Sequence, residues 1–208
     1  VATGEMERPE YTRNDSRRCF HCKDELFDLL EALRQELNFR HIAYGRNLDD
    51  DSDFRPGQAA AELHHVVAPL ADAGLDKSAV RELARQAGLP LWDKPAAACL
   101  SSRVEPGRPV TREILAQIEA GEAALHNLGF EQVRVRHHGE IARIEFSQAD
   151  FSRAFTPEMA RTIVPVFKQL GFRFVTLDCE GYRSGSMNSL VSLEQTLGST
   201  DIEVPRKR

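Results

Sequence analysis

Short strand-like runs alternate with helix-like patterns over the first 92 residues of the chain. Leucines at three- and four-residue spacing from Leu26 to Leu37 form one apolar stripe, which predicts a helix. Strands alternating with helices are typical of βαβ units, so we expect an α/β fold with a partial, doubly wound parallel sheet over residues 1–92. The predicted elements are a helix at 24–39, a strand at 42–44, a helix at 58–64, a strand at 66–68 and a helix at 77–87.

The pattern changes after residue 92. Residues 93–109 contain prolines, glycines and Cys99 with little regular periodicity, which indicates a connecting loop. An α-β-β-α-β order over residues 110–190 predicts a smaller α+β domain, and residues 191–208 are expected to form a tail. The predicted elements of this second domain are a helix at 111–128, strands at 132–137 and 141–146, a helix from Pro157 and a strand at 172–177.

Composition and charge exclude several classes of protein. The formal net charge of −5 gives no reason to expect broad attraction to nucleic acid or to an anionic membrane. No apolar run approaches the ~20 residues that a bilayer-spanning helix needs, and the first residues do not have the pattern of a signal peptide. Four cysteines in 208 residues are too few for a disulfide-stapled secreted fold. We therefore expect a protein of the reducing cytoplasm.

A Cys-x-x-Cys motif is the strongest local signal of chemistry. It lies in Arg18-Cys19-Phe20-His21-Cys22-Lys23, just before the first predicted helix. Two thiols at this spacing can reach one ion, and the flanking cations and the helix N-terminus favour thiolates. The spacing alone leaves open half of a zinc site, a redox dithiol, iron–sulfur ligands or a chance pattern. Cys99, among alanines, is by itself as easily a small buried residue as a functional thiol, and Cys179 is expected to be a bystander.

Charged residues alternate with apolar ones along the two strands of the predicted hairpin. Arg134 and Arg136 share one face of the first strand, and Arg143 and Glu145 share one face of the second. The usual meaning of such alternation is a solvated, salt-bridged sheet face, which we favour on this pattern alone. The alternative is a basic platform for a phosphate or carboxylate, which the planar fork of arginine binds well.

Two polar loops follow predicted strands, and the first lies where open α/β sheets hold their ligands. The first, at 45–57, carries an acidic cluster that either holds magnesium or forms a solvated turn. The second, at 181–188, has glycines that allow close backbone approach to a ligand, and Arg183 offers a phosphate contact.

Several further motifs accompany the Cys-x-x-Cys segment in a fixed order. They are Gly45-x-Asn-x-x-Asp with Arg55-Pro-Gly57, Pro69-Leu-x-x-Ala-Gly-Leu-x-Lys77, Lys94-Pro-Ala-x-Ala-Cys-Leu-x-Ser-Arg103, Arg134-Val-Arg-x-His-Gly139, Ala142-Arg-Ile-Glu145 and Gly181-Tyr-Arg-Ser-Gly-Ser-Met-Asn188. As an ordered set covering about residues 5–190, they resemble the ATP-dependent sulfur transferases of the LarE family, in the PP-loop ATP-pyrophosphatase superfamily.

The resemblance implies a two-step reaction on pyridinium-3,5-biscarboxylic acid mononucleotide. ATP, with Mg, adenylates a carboxylate, and sulfur then displaces AMP to give a thiocarboxylate on the route to the nickel-pincer nucleotide. Some members sacrifice the sulfur of a catalytic cysteine, which corresponds to Cys99, and others take sulfide from a [4Fe–4S] cluster. Because Cys19, Cys22 and Cys99 are all present, this chain resembles the cluster-bearing kind, with zinc as the alternative.

The same resemblance implies roles for other residues. It assigns the substrate phosphate to Arg136, Arg183, Arg134 and Ser184, and contacts with ATP to Asn47, Asp50 and Arg55. Arg103 and Glu145 complete the matching motifs. The Ser-Gly-Gly-x-Asp-Ser loop that binds ATP in this superfamily is absent from the sequence, so we expect the chain as it stands to be inactive toward ATP.

Two other functions compete with this interpretation. A PP-loop enzyme that thiolates tRNA also uses cluster-bound sulfur, but it would need a basic surface that the net charge does not favour. A module that binds zinc or a cluster for stability alone would need the cysteines but no catalysis. The resemblance also implies a homo-oligomer, a hexamer, with a small-molecule substrate and no membrane or nucleic-acid partner.

Overall fold

A computed structural model describes residues 1–52, 56–94 and 98–183. Within them, the chain forms two compact units, one of residues 1–11, 16–52 and 56–94 and the other of residues 12–15 and 98–183. The functions assigned to segments of the chain stay predictions, and the expected tail at 191–208 lies outside the described residues. None of the helices in the described part of the chain is long and apolar enough to cross a membrane.

The first unit is mainly helical. Its core is built from Phe27, Ala60 and Ala61, against which Tyr44 and Val66 pack. Gly57 lets the helix that begins at Pro56 approach the helix that carries Lys23 closely, because a Cβ there would lie 3.0 Å from Lys23 Cγ. The helices of this part of the chain are α1 (Pro9–Thr12), α2 (Arg18–Glu36), α3 (Pro56–Leu63), α4 (Pro69–Asp72) and α5 (Lys77–Gln86), with 3₁₀ turns at Glu5–Glu7 and Leu48–Ser52.

The two short strands predicted in this unit pair in parallel, as expected, but through a single bridge between Ala43 and Val67. The Tyr44 amide donates to the Val67 carbonyl and the Val67 amide to the Ile42 carbonyl. Such a short pairing needs further strands to become a stable sheet. The doubly wound PP-loop sheet therefore stays a prediction.

The second unit is an α+β structure, as its element order predicted. Helices α6 (Arg112–Asn127), α7 (Phe151–Ala154) and α8 (Pro157–Gln169) accompany strands β1 (Val133–His138), β2 (Ile141–Phe146) and β3 (Phe174–Leu177), with 3₁₀ turns at Leu100–Arg103 and Gln148–Asp150. The sheet order is β1-β2-β3, with β1 antiparallel and β3 parallel to β2. The chain turns between β1 and β2 at Gly139, whose φ of +63° suits glycine.

Apolar residues of α6, α8 and the sheet fill the interior of the second unit. Ile118 and Leu125 of α6 are fully buried, as are Val135 of β1, Ile144 of β2 and Phe167 of α8. Helix α6 packs against β1. The loop that carries Cys99 is joined to β1 of this unit through the bridge between Val104 and His137.

Candidate functional site

The Cys-x-x-Cys motif lies inside α2 rather than before it, because the helix begins at Arg18. Cys19 is exposed and Cys22 is partly buried. Residues three apart on a helix share one face, so both thiols lie on the same side of α2. The Arg18 Nη2 lies 3.9 Å from the Cys19 sulfur. The prediction placed the helix start too late because residues 18–23 do not continue the leucine stripe.

Cys99 is exposed, which shows that its interpretation as a small buried residue is wrong. It has an extended backbone and immediately precedes the 3₁₀ turn Leu100–Arg103. Its carbonyl oxygen accepts hydrogen bonds from the Ser102 amide at 3.0 Å, the Ser102 hydroxyl at 2.7 Å and Arg103 Nη1 at 2.8 Å. The thiol is thus presented from a backbone that its own loop holds in place.

Arg103 forms a buried ion pair with Glu122 of α6. The Arg103 Nε lies 2.9 Å from Glu122 Oε1, and Arg103 Nη2 lies 3.1 Å from Glu122 Oε2. The sequence argument did not single out Glu122. Its signal was present, because Glu122 lies four residues after Ile118 and three before Leu125, on the apolar face of α6. A lone acid on a buried face indicates a buried partner.

The alternating charges of the hairpin form a buried network. Glu145, which is fully buried, accepts two hydrogen bonds from Arg136 at 2.9 and 2.8 Å and a third from Arg143 at 3.1 Å. Arg143 also lies 3.5 Å from Asp178. This sheet face is salt-bridged, as expected, but Arg136 is buried rather than solvated. Its contact with a substrate phosphate stays a prediction.

Arg136 also joins the network to the Cys99 loop. Its Nη1 donates to the Ser102 carbonyl at 3.2 Å. The structure therefore brings Cys99, Arg103, Arg136 and Glu145 together in the second unit. Cys19 and Cys22 belong to the first unit.

The segment after β3 carries the other predicted phosphate contacts. Arg134 is partly buried, and its guanidinium lies 5.0 Å from the centre of the Tyr182 ring. Arg183 is exposed and forms a two-point ion pair with Glu180. Ser184 lies outside the described residues. The roles of these residues toward a phosphate stay predictions.

The acidic loop after the first bridge is organised by its own side chains. The Asn47 amide donates to Asp50 Oδ2, and the Asp49 amide donates to Asn47 Oδ1. The Asp49 carboxylate also caps α5 by accepting from the Lys77 amide at 3.1 Å. These bonds favour the interpretation as a polar turn. Arg55 lies outside the described residues, and the contacts of Asn47 and Asp50 with ATP stay predictions.

A second polar cluster, of Asp24, Asp28 and His64, connects α2 with the end of α3. The His64 Nε2 lies 3.0 Å from Asp24 Oδ1, and its Nδ1 lies 3.9 Å from Asp28 Oδ1. Burial opposes ionisation of Asp24, but hydrogen bonds from His64 and Arg8 outweigh it and hold the pKa of this carboxyl below its ordinary value of 3.8. Because Arg8 already pairs with Asp24, this carboxylate has a counter-charge within the chain, and its contact with His64 connects α2 to the end of α3.

Comparison with known proteins finds relatives that match most of the chain. It is 41% identical over 192 residues to the uncharacterized protein slr1717 of Synechocystis sp., a match that covers 92% of the chain and 72% of that protein. The chain belongs to the family of slr1717. No family model matches it.

Two further members of this group of relatives match the same chain. Pyridinium-3,5-bisthiocarboxylic acid mononucleotide synthase of Lactiplantibacillus plantarum is 36% identical over 179 residues, which is 85% of the chain and 63% of that enzyme. The uncharacterized protein MJ0830 of Methanocaldococcus jannaschii is 31% identical over 172 residues, 83% of the chain and 66% of that protein. The chain therefore spans somewhat less than two thirds of the length of both proteins.

Proposed function

We propose that this chain carries the sulfur-transfer part of an enzyme that converts the carboxylates of pyridinium-3,5-biscarboxylic acid mononucleotide to thiocarboxylates. One observation carries the proposal: an exposed cysteine on a fixed backbone lies beside an arginine-rich strand pair. Its support is the 36% identity to a synthase whose name states the bisthiocarboxylic product.

The arginines suit the anionic part of such a substrate. A guanidinium binds phosphate through paired N–H donors, and its selectivity depends on a fixed orientation. Glu145 fixes Arg136 from one side, and the Tyr182 ring contacts Arg134. In this proposal, Arg134, Arg136, Arg183 and Ser184 bind the phosphate of the mononucleotide and thereby bring its carboxylates to Cys99.

Sulfur transfer needs an activated carboxylate. In the full-length protein, ATP and Mg would convert the carboxylate to an acyl adenylate and release pyrophosphate, with Asn47, Asp50 and Arg55 near the nucleotide. A sulfide then attacks the acyl carbon, the C–O bond to AMP breaks, and a thiocarboxylate and AMP leave. The electrons and atoms balance without an external oxidant.

The cysteines suit a [4Fe–4S] cluster as their ligand set. Cys19 and Cys22 share one helix face, and the Cys99 thiol is exposed, so soft sulfur donors are accessible on both units. Cys19, Cys22 and Cys99 would hold such a cluster, and the cluster would supply sulfide for the transfer. Zinc on the same cysteines would carry no transferable sulfur. We place the enzyme in the cytoplasm as a homo-oligomer, a hexamer by resemblance.

The test begins with anaerobic purification of the full-length protein. We expect iron and sulfide in a ratio of about 4:4 with visible charge-transfer absorption, lost when Cys19, Cys22 or Cys99 is changed to serine. Cys179→Ser is the matched control, because this exposed cysteine lies outside the proposed ligand set. Stoichiometric zinc and a colourless protein would instead support the structural module.

Turnover with ATP and the biscarboxylic mononucleotide then separates two sources of sulfur. We expect thiocarboxylate product and an unchanged mass of the peptide containing Cys99. A loss of about 34 Da at Cys99, the mass of one hydrogen sulfide, would show that the cysteine is sacrificed. A thiolated tRNA in place of the mononucleotide product would overturn the proposed substrate.

A further inference from the structure

We infer that Arg103 is a positioning residue for Cys99 and that Glu122 holds Arg103 in the orientation this requires. The inference rests on the proposed function in treating Cys99 as the cysteine nearest to sulfur transfer. It concerns the polar side chains behind the cysteine, which do not themselves need to touch substrate.

The guanidinium of Arg103 is divided between two tasks. One edge, Nε and Nη2, pairs with both oxygens of Glu122. The remaining nitrogen, Nη1, donates to the Ala98 carbonyl at 2.6 Å and to the Cys99 carbonyl at 2.8 Å. Arg103 is only 4% exposed, so these bonds form away from bulk water, where they are stronger. The planar fork thus fixes two consecutive peptide groups, the second of which belongs to Cys99.

Glu122 connects this clamp to the regular structure of the second unit. It lies in α6, and its Oε1 also accepts a hydrogen bond from the Val135 amide of β1 at 3.0 Å. The Cys99 carbonyl is therefore linked through Arg103 and Glu122 to both a helix and a strand. Reactive groups that are supported in this way keep their geometry within the narrow limits that group transfer needs.

A role in stability alone explains this arrangement less well. Buried ion pairs contribute little net stability, because desolvation offsets the attraction between the charges. Here the buried guanidinium contacts the backbone carbonyls of Ala98 and Cys99, and the Cys99 side chain is exposed. Lysine could keep the charge of Arg103 but could not contact Glu122 on one edge and two carbonyls on the other.

The experiment compares Arg103→Lys with Ser102→Ala in the full-length protein. Hydrogen exchange is followed at the Ser102 amide, which donates to the Cys99 carbonyl, and at the Ile144 amide in β2 as an internal reference. Ser102→Ala removes a donor to the Cys99 carbonyl and a 3.5 Å contact with Arg103 Nη1, but it keeps the buried Arg103–Glu122 pair, so the test stays available if the lysine variant does not fold. Arg161→Lys is the matched control, since Arg161 is 69% exposed on α8.

We expect exchange at residue 102 to be at least about 10-fold faster in Arg103→Lys, with Ile144 unchanged, and a smaller change in Ser102→Ala. The kcat for thiocarboxylate formation should fall roughly 100-fold while KM stays within about 3-fold, because the misplaced thiol affects the chemical step rather than binding. The inference would be overturned if the Ser102 amide of Arg103→Lys exchanged at the wild-type rate, or if the Ile144 amide were accelerated by the same factor.

The two proposals fail in different ways. Exchange is measured without substrate, so it tests the clamp whether or not the enzyme acts on the mononucleotide. A wild-type protein that forms no thiocarboxylate would overturn the proposed function. An active wild-type enzyme whose Arg103→Lys variant keeps its kcat would overturn the positioning role.

Discussion

Glu145 is a fully buried carboxylate that lies between two arginines. Arg136 depends on it, because both are buried and Glu145 contacts two of the Arg136 nitrogens. Arg143 depends on it less, since Asp178 lies nearby and Arg143 is more exposed. Removing the acid would therefore leave a buried guanidinium without its main counter-charge.

We predict that Glu145→Leu lowers the free energy of unfolding by about 3–5 kcal/mol, the range found when one partner of a buried pair is removed. The double variant Arg136→Met, Glu145→Leu should recover most of this loss, because no unpaired charge stays buried. Urea unfolding measures both. The control is Glu158→Gln, which breaks the exposed pair with Arg161 and should cost less than about 0.5 kcal/mol. A double variant no more stable than Glu145→Leu alone would contradict this account.

The sequence predicted which charged residues share a sheet face but not whether that face is covered. Alternation along β1 placed Arg134 and Arg136 together, because side chains on a strand alternate sides. Covering them requires contacts distant in sequence, from Ser102 to Arg136 and from Tyr182 to Arg134. Local periodicity contains no information about such contacts, so the buried pairs could not be predicted from it.

At the scale of elements, the segment after β3 is tied back to β2 through a glycine. Gly181 has a φ of +70°, and the following Tyr182 amide donates to the Phe146 carbonyl at 2.8 Å. A Cβ on Gly181 would lie 2.6 Å from Phe151 Cζ and 2.8 Å from the Phe146 oxygen. Both the conformation and the space at this position therefore favour glycine.

We predict that Gly181→Ala destabilises the protein by about 1–2 kcal/mol for the left-handed conformation and by a further 1–3 kcal/mol for the contacts with Phe151 and Phe146. Gly107→Ala is the matched control in the same unit, because Gly107 has a φ of +79° but nothing within 4 Å of its added Cβ. Thermal unfolding of the two variants separates conformation from crowding. Equal losses in both would show that the Phe151 contact has no energetic effect.

Helix boundaries show where sequence reasoning succeeds and where it does not. The starts of α5, α6 and α8 were predictable, since Asp76, Thr111 and Thr156 each accept a hydrogen bond from an amide of the first turn. The start of α2 was not, because Arg17 precedes it without a side-chain cap. The stop after α2 follows local chemistry again, with Asn38 at a φ of +55°, which asparagine tolerates.

At the scale of the whole molecule, ionisable groups of both units determine how stability depends on pH. Burial and the charge of Arg108 hold the pKa of His137 below its ordinary value of 6.5. Burial opposes ionisation of Glu105, but hydrogen bonds from Arg108 and His138 outweigh it and hold its pKa below 4.5. Asp24 in the first unit is shifted in the same direction. Each group titrates at a lower pH in the folded chain than in the unfolded one.

These directions predict two steps of acid destabilisation. Because the pKa of His137 is lower in the folded chain, the unfolded chain binds more protons as the pH approaches and passes below 6.5. The stability that His137 contributes is therefore complete above that pH and falls as the pH drops below it. The carboxylates add their loss only below their ordinary values of 3.8 for Asp24 and 4.5 for Glu105. Between about pH 7.5 and about pH 5.5, therefore, His137 contributes to the slope and these two acids do not.

The variant His137→Gln tests the first step, because glutamine keeps a hydrogen-bonding side chain opposite Gln117 but does not titrate. We predict a lower stability than wild type at about pH 7.5 from altered packing beside Phe172, and a smaller further loss between about pH 7.5 and about pH 5.5. Urea unfolding at both pH values measures this difference, and comparison with wild type isolates the effect of residue 137 because the two proteins share every other residue. Parallel pH profiles for the two proteins would show that His137 takes up its proton equally in the folded and unfolded states.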